Sequence, residues 1–96
     1  MAEPRGSVPG PHDKHRVLFY GLSTCIWCRK TRQFLEEQGV KFDFVYVDLI
    51  HGQEREDAKE QIRKWNPAVS FPTIVIDSDQ SVTGFKPEKI KEALEL

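Results

Sequence analysis

The stretch from Val17 to Cys28 constrains this chain more than any other. Val17-Leu18-Phe19-Tyr20 is an unbroken apolar run, of the kind that suits a strand buried on both faces. Gly21-Leu22-Ser23-Thr24 then turns the chain, and Ser23 or Thr24 can cap the helix that follows. That helix is expected from Cys25 to Gln38. Cys28, Thr31, Phe34, Leu35 and Gln38 fall near one of its faces, and Gly39 provides the C-terminal stop. Phe42-Asp43-Phe44-Val45-Tyr46-Val47, rich in aromatic and β-branched residues, reads as a second strand. A strand, a helix and a strand in this order form a right-handed crossover, so the two strands are expected to be parallel.

The second half has a different pattern. Gln53 to Trp65 is a highly charged helix with a narrow apolar stripe of Ala58, Ile62 and Trp65; Glu60 and Lys64 stand four apart in the favourable order. Asn66-Pro67 ends it. Thr73 to Ile76 and Gln80 to Thr83 read as strands joined by an Asp77-Ser78-Asp79 turn, an antiparallel hairpin. Pro87 opens a final helix that buries Ile90, Ala93 and Leu94. The expected fold is α/β: a four-stranded mixed sheet with three helices on its two faces.

Residues 1–15 carry Pro4, Gly6, Pro9, Gly10 and Pro11 and almost no apolar side chain. They read as a disordered leader, with the folded domain spanning residues 16–96. The leader has no apolar core of a secretory signal, and no apolar run approaches the ~18 residues that span a bilayer. Fourteen basic and fifteen acidic residues are interspersed, for a net charge of −1. That mixture argues against a nucleic-acid partner and for an ordinary solvated surface. A cytoplasmic monomer is expected.

Two cysteines in a C-x-x-C spacing, in a reducing compartment, point to redox or metal chemistry rather than to a disulfide framework. Thr24-Cys25-Ile26-Trp27-Cys28 follows the buried strand and opens the helix. The attacking species in disulfide exchange is the thiolate, whereas a free thiol titrates near ~8.5. Unpaired N–H groups and the positive end of the helix dipole favour the thiolate at Cys25, and Arg29 and Lys30 lie in the next turn. Cys25 is then the attacking thiolate at the exposed tip. Cys28, one turn further in and on the same face, is the resolving thiol.

Two downstream elements complete the candidate site. Ser70-Phe71-Pro72-Thr73 precedes the third strand, and a proline at a strand start leaves neighbouring backbone groups free for an extended peptide. Gly84-Phe85-Lys86-Pro87 enters the last helix. There Gly84 permits close backbone approach, and Phe85 serves either as substrate contact or as a helix-entry staple. Thr24, Ile26 and Trp27 flank the first cysteine as further substrate contacts, with Trp27 partly exposed toward a partner. Trp65 is expected to pack at its helix end.

These elements, in this order over nearly all of Arg16 to Leu96, resemble the glutaredoxin family. The resemblance implies a thioredoxin-like fold, a cis Pro72 facing the dithiol, and a dithiol–disulfide oxidoreductase that reduces protein or small-molecule disulfides. No bound cofactor is implied, with glutathione a possible reductant. Typical members carry a lysine shortly before the first cysteine and small and acidic residues after the late glycine, both of which hold glutathione. Here those stretches are Gly21-Leu22-Ser23-Thr24 and Gly84-Phe85-Lys86-Pro87. The Gly-Phe-Lys-Pro turn is similar to that of the glutaredoxin-like redoxins that donate electrons to ribonucleotide reductase, which are generally served by a thioredoxin-type reductase. The alternatives are an iron–sulfur cluster carrier, with the cluster bound through the first cysteine, and a metal module. The metal module would have to recruit His12, His15 or His51 to the two cysteines.

Overall fold

A computed structural model describes residues 4–96. Its strands are β1 (Arg5–Val8), β2 (Val17–Gly21), β3 (Phe42–Tyr46), β4 (Thr73–Ile76) and β5 (Gln80–Thr83). Its helices are α1 (Ile26–Glu37), α2 (Gly52–Trp65) and α3 (Pro87–Leu94), with a 3-10 turn at Val47–Leu49. The sheet order is β1-β3-β2-β4-β5. β2 and β3 are parallel, with Phe19 opposite Phe44; β4 runs antiparallel to β2, and β5 to β4.

The central strand divides its side chains between two cores, as its uninterrupted apolar run requires. Val17 and Phe19 join Cys28 and Leu35 of α1 and Ile90 and Leu94 of α3 on one face. Leu18 and Tyr20 pack with Ile62, Ala58 and Trp65 of α2 on the other. α1 ends as its glycine dictates. Gly39 takes φ +70°, and Val40 N–H reaches back to Leu35 O at 3.0 Å, closing the last turn.

Three expectations are corrected. First, the sheet has five strands, not four, and the fifth comes from the segment read as a disordered leader. β1 pairs antiparallel with β3, Arg5 opposite Val45 through Val8 opposite Phe42. Tyr46 N–H extends the ladder to Pro4 O at 2.7 Å, and Ser7 Oγ donates to the Asp43 carboxylate. Backbone pairing needs no apolar side chains, and three of the four β1 residues are exposed, so hydrophobic patterning carries no trace of it. The strand also covers what would be a bare edge of β3. Second, Val47 leaves the strand and starts the 3-10 turn, because its side chain drops into the core beneath α2. Third, Glu60 bonds Arg63 one turn on, and Lys64 donates to Gln61 instead.

The leader continues across the end of α1. His12 N–H donates to Gly39 O at 2.9 Å and Lys41 N–H to His12 O at 3.0 Å. Gly10 lies so close that a Cβ there would sit 2.4 Å from Gly39 O. Backbone cannot yield as a side-chain tip can, so Gly10→Ala must push the leader off. The expected loss is about 1–3 kcal/mol, the usual range for overpacking, read as a lower midpoint in urea. An unchanged midpoint would mean that residues 9–12 contribute nothing to the folded state.

Candidate active site

Cys25 is the N-cap of α1, displacing the expected Ser23 or Thr24, and the helix proper begins at Ile26. The cysteine backbone is extended, with φ −90° and ψ 122°, and its sulfur accepts the Cys28 N–H at 3.2 Å. The side chain thus does what a capping oxygen does: it satisfies one of the helix's unpaired amides. Both cysteines are free thiols. Cys25 is partly exposed; Cys28 is buried, at 1% exposure.

The two sulfurs therefore sit in unequal surroundings. Cys28 packs in the core beside Phe19 and Leu35 and accepts the Leu22 N–H at 3.4 Å. Burial pushes its thiol up to about 12, helped by the hydrogen bond to Cys25 and by the Cys25 and Asp48 charges; the Leu22 N–H pulls the other way. At neutral pH Cys28 stays a thiol.

The proline and glycine segments reach the same end of the molecule. Phe71 and Cys25 both pack against the core beneath α1. The Phe71–Pro72 bond is cis and Pro72 is buried. Gly84, at φ +86°, donates its N–H to Pro72 O at 2.8 Å, which ties the two segments together. Phe85 stacks on Trp27 with centroids 6.2 Å apart and meets Phe34 edge-on at the same distance. Trp27 and Ile26 remain 53% exposed. An apolar shelf of Ile26, Trp27 and Phe85 thus borders Cys25, with the Lys30 ammonium 4.8 Å from the Trp27 ring centre.

Other candidates fall elsewhere. Thr24 is exposed, and Ser70 turns to Asn66, whose Nδ2 donates to its Oγ at 2.8 Å. Trp65 is half-buried against the α2-side core. His51 is exposed at the start of α2. His12 and His15 line a 440 Å³ cavity with Gln38 and Val40, at the far end of α1 from Cys25. Among the described residues no three His, Cys, Asp or Glu side chains gather into a cation site, and no helix is long and apolar enough to cross a membrane.

Two polar residues that the motif reading passes over support the site from behind. Asn66 is 8% exposed and also donates to Ser70 O and Thr73 Oγ1, fixing the turn before Pro72. Asp48 accepts both the N–H and the Oγ–H of Ser23, two residues before Cys25. Their signal in the sequence is position alone. Each stands at an end of a regular element, and Asp48 lies just beyond the carboxyl end of a parallel strand, where sites on such sheets collect.

A dithiol at a helix start, one sulfur accessible and one buried, on this sheet, defines a thiol–disulfide oxidoreductase of thioredoxin-like fold. The glutaredoxin family model matches residues 17–80, and the chain belongs to that family. Its fold is similar to that of the glutaredoxin from Methanosarcina mazei Go1 (TM-score 0.92, 46% identity, covering 98% of this chain and 90% of that one). It is also similar to Methanosarcina acetivorans methanoredoxin (TM-score 0.85, 43% identity, 88% of each chain). A third likeness is to the Escherichia coli glutaredoxin-like protein NrdH-redoxin, described as having a thioredoxin-like activity profile (TM-score 0.65, 26% identity, 80% of this chain and 92% of that one).

Proposed function

We propose that Cys25 attacks the substrate disulfide, that Cys28 resolves the mixed disulfide, and that a protein reductase rather than glutathione restores the dithiol. The unequal burial of the two sulfurs carries the first part. The Cys25 thiolate reaches one substrate sulfur and forms a mixed disulfide; the other substrate sulfur leaves as thiolate and takes a proton. Cys28 then loses its proton and attacks Cys25, the remaining substrate sulfur departs as the second thiolate, and two electrons have passed to the substrate. Once Cys25 is bonded to substrate, its charge and its hydrogen bond no longer hold Cys28 protonated, whereas the Leu22 N–H still favours the thiolate. Resolution is thereby easier after attack than before it. The dithiol itself carries the electrons, so no bound cofactor enters the scheme.

The choice of donor rests on what surrounds Cys25. Gly21 to Thr24 offers no cation, and the turn after Gly84 offers Phe85 and Lys86 in place of small and acidic residues. Phe85 is engaged with Trp27 and Phe34. Glutathione presents two carboxylates and an amine, and each lost charge-assisted hydrogen bond costs about 1.5–3 kcal/mol, roughly ten- to a hundred-fold in affinity. The exposed apolar shelf suits a protein surface better. The thioredoxin-like profile of the E. coli NrdH-redoxin is consistent with the same choice. Turnover of one disulfide substrate with glutathione and glutathione reductase, beside turnover with thioredoxin-type and ferredoxin-linked reductases, tests it. At least tenfold faster turnover with a protein reductase is expected. Efficient glutathione turnover with no activity from any protein reductase would overturn it.

A further inference from the structure

The 3-10 turn after β3 holds a carboxylate that the exchange steps above do not use. Asp48 grips one residue twice: Ser23 N–H donates to Oδ1 at 2.9 Å and Ser23 Oγ–H to Oδ2 at 2.5 Å. Burial pushes the Asp48 carboxyl up, but the Ser23 side-chain and backbone bonds outweigh it and hold it below the usual carboxylate range. Asp48 is therefore an anion at neutral pH, which suits an acceptor of two bonds. The residue next to Ser23 touches both cysteines. Leu22 N–H donates to Cys28 Sγ at 3.4 Å, and Leu22 O accepts the Cys25 N–H at 3.2 Å.

We infer that Asp48 is a positioning residue for the dithiol: by clamping Ser23 it holds Leu22 with its N–H on the Cys28 sulfur and its carbonyl on the Cys25 amide. The three residues between the end of β2 at Gly21 and the Cys25 cap belong to no regular element, and could place that N–H elsewhere. The double grip, made from an element 25 residues away in sequence, removes that freedom. The inference rests on Cys28 being the resolving thiol, since only then does the stabilised sulfur matter to the reaction.

The clamp acts on Cys28 in two opposed ways. It sets the N–H that favours the thiolate, and its own negative charge disfavours it. The charged or titratable groups acting on Cys28 are Cys25 and Asp48, and Arg55 of α2 acts on Asp48 in turn. The two effects separate by substitution. Asp48→Asn keeps the shape and an acceptor for the Ser23 N–H while removing the charge. Asp48→Ala removes the clamp. Ser23→Ala deletes one bond and leaves the charge.

The test reads the reduced protein directly, by amide hydrogen exchange and by the pH dependence of Cys28 alkylation in a Cys25→Ser background. In Asp48→Ala, exchange at Leu22 and Ser23 is expected to rise more than about tenfold, while amides of β2 and β4 keep their protection. In Asp48→Asn, Leu22 protection is retained, and Cys28 is alkylated about three- to tenfold faster at any pH below its midpoint, since thiolate fraction follows the midpoint tenfold per unit. Ser23→Ala, which keeps the Asp48 charge and loosens the Leu22 N–H, does not lower that midpoint. Unchanged Leu22 protection in Asp48→Ala, or an unmoved Cys28 midpoint in Asp48→Asn, would overturn the inference. If Asp48→Ala does not fold, faster Leu22 exchange in Ser23→Ala replaces it as the required result. None of these readouts uses turnover, so they succeed or fail independently of the attack and resolution assignments.

Discussion

Replacing Cys25 with serine is expected to abolish disulfide reduction, to the background of the reductant alone. Nothing else among the described residues offers a nucleophilic sulfur at the surface: Cys28, the other thiol, is buried and pushed up to about 12. A serine hydroxyl at the same cap can still accept the Cys28 N–H, so the helix start survives and the loss is one of chemistry. Cys28→Ser is expected to behave differently. Attack remains possible, but the second step has no nucleophile, so turnover of protein disulfides stops at a covalent adduct. Parallel turnover assays with folded variants check both outcomes. Comparable activity in Cys25→Ser and the parent protein would remove Cys25 from the reaction.

Phe19→Ala is expected to cost about 3–5 kcal/mol, a large part of the ~5–15 kcal/mol that holds a domain together. The Phe19 ring is fully buried at the centre of the sheet and meets Phe42 and Tyr46 edge-on, each at 6.4 Å. It also lies beneath the active-site turn. A Cβ on Gly21 would come within 2.8 Å of Phe19 Cζ and 3.3 Å of Cys28 Cβ. Truncation therefore opens a void under both the sheet and the buried thiol. In a domain of this size each kcal/mol lowers the melting point by about 4–8 °C, so a fall of more than about 12 °C is expected in a thermal scan. A change of a few degrees would mean that this core repacks around the missing ring.

The parts of this fold that hydrophobic burial dictates were legible in the sequence. The run from Val17 to Tyr20 must be buried on both sides, and Gly39 must stop a helix because the next turn needs a positive φ. The hairpin of β4 and β5 followed from its turn residues. What burial does not dictate was not legible. Arg5 to Val8 enters the sheet through main-chain hydrogen bonds with little apolar side chain beside Val8, His12 bonds the Gly39 carbonyl, and Gly10 passes close against it. The candidate site divides in the same way. The strand-to-helix context singled out the two cysteines, and the aromatic shelf rests on Trp27 and Phe85, which the motifs already flagged. The supports behind them are polar: Asp48 reaches Ser23 from 25 residues away, and Asn66 bonds Ser70 and Thr73 within the one connection between α2 and β4. The first pair is set by the tertiary arrangement, and the second by the path of an irregular turn, which hydrophobic patterning does not report.

Mass spectrometry of Cys28→Ser after exposure to an oxidised protein substrate examines the proposed chemistry at its first covalent step. The expected product is a one-to-one mixed disulfide, released by dithiothreitol, with peptide mapping that places the bond at Cys25. Absence of any adduct in Cys28→Ser, together with a stable adduct at Cys28 in Cys25→Ser, would contradict the assignment and exchange the roles of the two thiols.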